Sequence, residues 1–353
     1  MADSDVGALI AIEQQLGWRR PVFGRSFVRM DRWLVAPHAI LARITPLRWR
    51  KAALPRLEVS LSDWLRARRT GGSSRLALSC CALYEGRQSR RAFYLGRGLT
   101  IKLLPPGTPS GQVTRDVEAR ALIAASGQLH VPKVLASDVV NDRTFIVEEL
   151  IAGCHPSADQ GDRILNELLP AIWTTYRALG LGTVESFAGM TMELIKGELQ
   201  REQIPQEMTY ERECRDELLR RLKQLPSTAE QPLITAFGHG DLSVGNIIMT
   251  GTGDLFVVDW ETAGRMPIVW DLRKLMTTVP GLLLKAVQML RAELDQPAWR
   301  GAMTAENQFL LGLGARVAER SRKAHRRGHS SADHKTLRAL RRAGDCLHSG
   351  ALQ

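Results

Sequence analysis

Apolar and polar positions along the chain follow two regimes. Between residues 76 and 150 the apolar residues come in short runs: Leu76 to Tyr84, Ala92-Phe93-Tyr94-Leu95, Leu99 to Leu104, Val131 to Leu135 and Thr144 to Leu150. Polar and glycine-bearing segments such as Glu85 to Arg90 and Gly96-Arg97-Gly98 separate them, which is the punctuation of β-strands joined by turns. One segment in this region differs. Thr114 to Gly127 is rich in Ala and Leu and stops at a glycine, so it reads as a helix. From about Asp162 the spacing becomes helical, clearest in Ile164 to Leu179 and in the charged amphipathic stretch Glu211 to Leu225.

A single pair of strands interrupts the helical half. Ile247-Ile248-Met249-Thr250 and Leu255-Phe256-Val257-Val258 flank a Gly/Thr/Asp turn and predict a hairpin. Polar residues bracket it: His239-Gly240-Asp241 and Asn246 before, Asp259-Trp260-Glu261 after. The hairpin is expected to fold Asp259 back beside Asp241 and Asn246, gathering three oxygen-bearing side chains. Phosphoryl transfer uses that set: a carboxylate to orient the attacking hydroxyl, and an Asn and an Asp to hold Mg²⁺. Lys102 adds a second signal. It lies within an apolar strand, where an unpaired ammonium is expensive to bury, and so demands an anion.

The segment 238–271 resembles the catalytic loop and metal-binding strand of the aminoglycoside phosphotransferase and choline kinase group. The fold this implies is α+β and protein-kinase-like: a small antiparallel-sheet N-lobe over residues 71–151, a mainly helical C-lobe over 152–353, and an N-terminal extension over 1–70. Carried over, Asp241 is the catalytic base, Asn246 and Asp259 are the metal ligands, and His239 and Asp271 support the loop, Asp271 as an N-cap and loop brace. Lys102 contacts the nucleotide phosphates and pairs with Glu118, while Ser89 and backbone amides cradle phosphate where the glycine loop has only Gly86. Adenine meets backbone groups at Glu149 and Leu150, with Leu103, Ile146 and Val147 lining its pocket. Backbone recognition of that kind does not separate ATP from GTP. The cofactors implied are ATP and Mg²⁺, and the acceptor is a hydroxyl of a small molecule or glycan.

Composition narrows the class. The chain has 353 residues, 44% apolar and 24% charged, as in ordinary globular proteins. Five scattered cysteines without metal-ligand spacing read as reduced thiols. With no basic signal segment at the start, the expectation is a cytoplasmic protein. The net charge of +11 is concentrated at the ends: residues 1–70 and 315–353 each carry +7, leaving the middle slightly acidic.

The first seventy residues hold Trp18, Trp33, Trp49 and Trp64 among arginines. They suit either contact with a membrane surface or polyanion, or a helical extension packed on the core; aromatic residues mark packing, which favours the second. The basic ends nevertheless suggest an acceptor at a membrane or on an anionic glycan. The tail from Glu319 to Arg342 reads as a solvated basic helix, a better description than a metal site at His325, His329 and His334.

Three other classes share some features. A protein kinase has the same core, but no activation segment ending in Ala-Pro-Glu is present. A non-catalytic scaffold is expected to lose one of Lys102, Asp241, Asn246 or Asp259, and all four are kept. A nucleic-acid module has only the charge in its favour.

Overall fold

The computed structural model describes residues 3–18, 25–30, 33–35, 73–76, 78, 80, 82–85, 89–157, 160–187, 191–328 and 332–352. Trp49, Trp64, residues 70–72, the glycine-loop residues 86–88 and His329 lie outside that set. Two compact units form: residues 1–155 with 247–261, and residues 156–246 with 262–353. The hairpin predicted at 247–258 therefore belongs with the strand-rich half, and so do the first residues of the extension.

The first unit is built on an eight-stranded antiparallel sheet. Its strands are β1 (Arg25–Met30), β2 (Trp33–Val35), β3 (Ser73–Leu76), β4 (Ala82–Glu85), β5 (Arg90–Tyr94), β6 (Leu99–Leu103), β7 (Val134–Val140) and β8 (Arg143–Glu149). The order across the sheet is β3-β1-β2-β4-β5-β6-β8-β7. Residues 25–30 and 33–35 of the extension thus enter the sheet as two strands. The β7–β8 turn places Asn141 and Asp142 at φ 49° and 57°. Two successive left-handed residues match the twist of a tight hairpin, and Asn and Asp tolerate them best.

Helix α1 (Asp3–Gln15) covers one face of this sheet. Leu9 and Ile12 pack into a buried cluster with Leu83, Ile101, Leu103, Phe145 and Val147. Polar ties fix its position. Asp5 pairs with Arg143 at 2.7 Å and with Arg90 at 3.4 Å, and Glu13 accepts from the Tyr94 hydroxyl at 2.9 Å. Trp18, just beyond, meets Tyr94 edge-on with centroids 4.7 Å apart, and the Arg97 guanidinium lies 4.6 Å above its ring. This part of the extension packs as a structural element.

On the opposite face lies α2 (Ser110–Ser126), ended by Gly127 in the left-handed region at φ 68°. Its Asp116 and Arg120 are buried. The unit also contains β9 (Gly153–Cys154), β12 (Ile247–Thr250) and β13 (Leu255–Val257), in the order β13-β12-β9.

In the second unit β10 (Gly182–Val184), β11 (Leu233–Gly238) and β14 (Gly264–Pro267) form a short antiparallel sheet. The named helices are α3 (Leu169–Ala178), α4 (Met192–Arg201), α5 (Thr209–Lys223), α6 (Ile268–Leu272), α7 (Leu282–Leu294), α8 (Ala305–His325) and α9 (His334–His348). A π-type turn at 164–168 precedes α3. Helix α8 is the core helix: Phe309, Leu311, Leu313 and Val317 have no exposed surface. This corrects the expectation of a solvated basic helix from Glu319 to Arg342. The charged stretch is the end of a buried helix and the start of another, each opened by a side-chain cap, Thr304 for α8 and Asp333 for α9. Among the described residues no helix is long and apolar enough to cross a membrane.

Candidate active site

The catalytic-loop residues follow β11 in the second unit. Gly238 ends the strand against Asp271, and a Cβ at this position would lie 2.7 Å from Asp271 Oδ2. Only glycine allows that approach. Gly240 then turns the chain at φ 80°, a region that L side chains rarely adopt.

Asp271 organises this turn. Its carboxylate accepts from the backbone N–H of His239 at 2.9 Å, from that of Gly240 at 2.7 Å and from the Tyr176 hydroxyl at 2.7 Å. Burial, the Asp271 charge and that hydrogen bond push the Tyr176 phenol well above its ordinary range. Asp271 lies inside α6, whose N-cap is Pro267, so it acts as a brace and not as the expected cap.

His239, also buried, accepts the Asp241 N–H at Nδ1 (3.2 Å), and its carbonyl accepts from Thr262 Oγ1 at 2.9 Å. Arg273 donates to the carbonyls of Gly240 and Trp270 and pairs with Glu319.

Asp241 is thereby presented with its side chain 47% exposed and ion-paired to Lys274. Burial pushes the Lys274 ammonium down to about 8; Glu319 opposes this, while Arg316, Lys323 and Arg320 add to it. The Asp241 carboxylate is screened by solvent, so burial prevails over it. Asn246 lies beside Asp241, its amide nitrogen donating to the Asp241 carbonyl at 3.0 Å and carboxylate at 3.4 Å. That leaves the amide oxygen as the atom a cation would take.

Asp259 stands in the first unit, two residues past β13, at φ 73°. A left-handed backbone at a non-glycine residue costs on the order of 1 kcal/mol or more and is tolerated where the surroundings impose it. Here the surroundings are cations. Lys102 Nζ and Arg91 Nη2 each lie 2.9 Å from Asp259 Oδ1. Lys102 is 1% exposed in its side chain and also pairs with Glu261 at 2.8 Å and Asp116 at 3.5 Å. Burial works against its charge, but Asp259, Asp116 and Glu261 overcome both this and the repulsion of Arg91, so its pKa is raised. The anion that this buried strand lysine demanded is thus a set of three carboxylates.

Two expectations change here. The helix carboxylate paired with Lys102 is Asp116, whereas Glu118 is exposed. Positions two apart on a helix lie about 200° apart around it, so only one can face the sheet. At the positions expected to offer backbone groups to adenine, the N–H of Glu149 is donated to Lys133 O at 2.9 Å and that of Leu150 to Gly98 O at 2.8 Å. Of the expected pocket residues, Ile146 pairs across from Lys102 and shares its face, whereas Leu103 and Val147 face α1. Ser89 lies in the residue before β5.

Arg91 was not foreseen. It is the cross-strand partner of Lys102 on β5, and its guanidinium spans Asp259 and Glu148. Strand alternation could have found it: in the β5–β6 hairpin, Arg91 and Lys102 have to share a face. Arg120 completes the network, bonded to Asp116 at 2.7 Å and Glu148 at 2.5 Å.

The Asp259 carboxylate and the Asn246 amide oxygen are each hard donors, and among the described residues no group of three or more His, Cys, Asp and Glu could hold a metal ion. His325 lies 3.6 Å from Glu198 and 4.0 Å from Glu202.

A braced loop presenting an Asp and an Asn, and a buried strand lysine tied to a second Asp, are the parts that phosphoryl transfer on a protein-kinase-like α+β fold requires. The sequence says the same. Residues 81–305, more than half of the chain, match the phosphotransferase enzyme family, and the chain belongs to that family. It is an enzyme, a kinase acting on a hydroxyl group.

Compared with curated proteins by sequence, the chain finds no match. Solved structures similar to it include a choline/ethanolamine kinase family protein from Mesorhizobium loti, 18% identical over 76% of this chain and 89% of that one, with a TM-score of 0.47. Another is an aminoglycoside phosphotransferase from Alicyclobacillus acidocaldarius, 12% identical over 78% and 92%, with a TM-score of 0.43. A third is a thermostable mutant of aminoglycoside phosphotransferase APH(4)-Ia in ternary complex with AMP-PNP and hygromycin B, 15% identical over 76% and 93%, with a TM-score of 0.45. These are distant likenesses, and membership rests on the family match.

Proposed function

We propose that the chain transfers the γ-phosphoryl group of ATP, with Mg²⁺, to a hydroxyl of a small molecule or glycan. The observation that carries this reading is the Asp271 brace. It fixes the two residues before Asp241 through two hydrogen bonds and is itself held by the Tyr176 hydroxyl, so that the Asp241 carboxylate is held in place and open to an acceptor.

In this reading Asp241 accepts a hydrogen bond from the acceptor hydroxyl and takes its proton as that oxygen bonds to the γ-phosphorus. The bond from the γ-phosphorus to the bridging oxygen breaks, and ADP leaves. Lys274 orients the Asp241 carboxylate, and His239 holds the turn without exchanging a proton. Lys102 positions the nucleotide phosphates, kept charged by Asp116 and Glu261. Arg91, cross-strand from it, supplies a second cation where the loop has few glycines. Asp259 and Asn246 would hold Mg²⁺, whose chemistry is to neutralise charge on the phosphates. A general base contributes about 10²–10⁴-fold, so positioning and electrostatics carry most of the rate.

The experiment is Mg²⁺- and ATP-dependent ADP release across sugars, amino acids, choline and aminoglycosides, with Asp241→Asn alongside. Acceptor-stimulated release that is lost in the variant supports the reading. Release equal in both proteins sinks it.

A further inference from the structure

Helices α8 and α9 carry charge for which phosphoryl transfer has no use. Arg316 and Arg320 are one turn apart on α8, and Lys335, Arg338 and Arg342 follow at i, i+3 and i+7 on α9. Those spacings put each set on one helix face. The faces converge on a cavity of about 180 Å³ lined by these five cations with Thr277 and Ala339. Among the described residues no carboxylate lines it.

Nor are the cations satisfied from nearby. Arg316, 8% exposed, pairs with Glu319 on its own helix at 3.2 Å, but its buried Nε has no hydrogen-bond partner. Glu319 is shared with Arg273 and Lys323. Asp333 is committed to capping α9, and Asp345 to the Tyr210 hydroxyl. Arg338 bonds His334, and among the described residues no carboxylate comes within ion-pair distance of Arg320, Lys335 or Arg342.

Gathering like charges around a partly buried cavity is unfavourable without a counter-anion. The cost is visible: burial and Arg320 push Arg316 down to about 10 despite Glu319, and burial, Arg338 and Arg320 lower Arg342 despite Asp345. Guanidinium forks match phosphate and sulfate oxygens bidentately, which would reverse the sign of that cost. The cavity is also linked to the reaction. Thr277 lies three residues beyond Lys274, the partner of Asp241, and Arg316 and Arg320 both act on the Lys274 charge.

We propose that this cavity binds a phosphate or sulfate group carried by the acceptor, so that the enzyme selects anionic hydroxyl compounds over cationic ones. This rests on the kinase reading for the word acceptor, but the anion site stands on the cavity alone.

The test uses the full chain at fixed ionic strength. Calorimetric titrations with inorganic phosphate, sulfate and tripolyphosphate are run on the wild type, Arg320→Ala, Arg338→Ala and Arg300→Ala, the last an exposed cation outside the cavity. ADP release is measured in parallel with sugar phosphates and the parent sugars. The expected result is saturable anion binding, weakened about tenfold or more in Arg320→Ala and Arg338→Ala and unchanged in Arg300→Ala. Turnover is expected to favour the phosphorylated acceptor, with KM raised and kcat kept in Arg338→Ala.

Absent binding, or equal binding in all variants, overturns the site. Binding lost in the cavity variants without any effect on the KM of phosphorylated acceptors means a free anion occupies it, which overturns the acceptor assignment. A wild type that neither binds Mg-ATP nor turns over any acceptor refutes the kinase reading, and the titrations then decide the anion site by themselves.

Discussion

Replacing Asp271 with Asn keeps the shape of the catalytic-loop brace and removes its charge. The wild-type carboxylate, 2% exposed, accepts three hydrogen bonds within 2.9 Å, two from backbone N–H groups and one from the Tyr176 hydroxyl. An amide can present only one oxygen, so at least one of these donors faces an NH₂ group. A hydrogen bond to a charged group is worth about 1.5–3 kcal/mol, and an orphaned buried donor costs a similar amount. Relief from burying a charge offsets part of this, so the net loss is about 2–4 kcal/mol. Against a typical stability of roughly 5–15 kcal/mol the variant still folds. Urea unfolding followed by tryptophan fluorescence reads the loss.

The same change lets residues 239–241 shift. A displacement of about 1 Å at a catalytic group can cost on the order of 10²-fold, so kcat is expected to fall by that order. The KM for ATP is expected to hold, because Lys102 and Asp259 lie in the first unit. A variant with wild-type urea midpoint and wild-type kcat would refute the bracing argument.

Asp116→Asn is expected to weaken nucleotide binding by loosening Lys102, whereas Glu118→Gln leaves it unchanged; equal effects in a nucleotide titration would reverse the assignment of the helix carboxylate. Lys274 has a folded pKa of about 8 against 10.5 ordinarily. The unfolded chain therefore binds more protons between those values, and stability rises with pH across about 8–10.5, by up to about 3 kcal/mol. In Lys274→Met that rise in melting temperature is expected to flatten, and an unaltered slope would exclude Lys274 as its source. Leu9→Ala, at a fully buried α1 position, is expected to cost about 2–5 kcal/mol in urea unfolding. A near-neutral result would mean α1 is dispensable to the first unit.

Features with a local signature were legible in the sequence. The 247–257 hairpin follows from two apolar runs and a Gly-rich turn, and β12 and β13 lie there. The demand of Lys102 for anions follows from its apolar strand. What the sequence left open was phase and partnership. Asp116 and Glu118 are equivalent in composition and separated only by helix rotation. Arg91 looked like a loop-edge residue until strand pairing placed it opposite Lys102. The basic tail looked solvated because its charges stood out, while the Gly- and Ala-rich start of α8 concealed a core helix. The cavity of arginines and lysine needed two helices to meet, which no linear pattern encodes.

The central claim is that Asp241 accepts the acceptor proton in an ATP-dependent transfer. Mg²⁺-dependent ADP release on a responding acceptor, measured for the wild type and Asp241→Asn with Mg-ATP affinity checked in both, tests it most directly. The account predicts unchanged Mg-ATP binding and turnover reduced by about 10²-fold or more in the variant. Acceptor-stimulated turnover that survives in Asp241→Asn at the wild-type rate would contradict it.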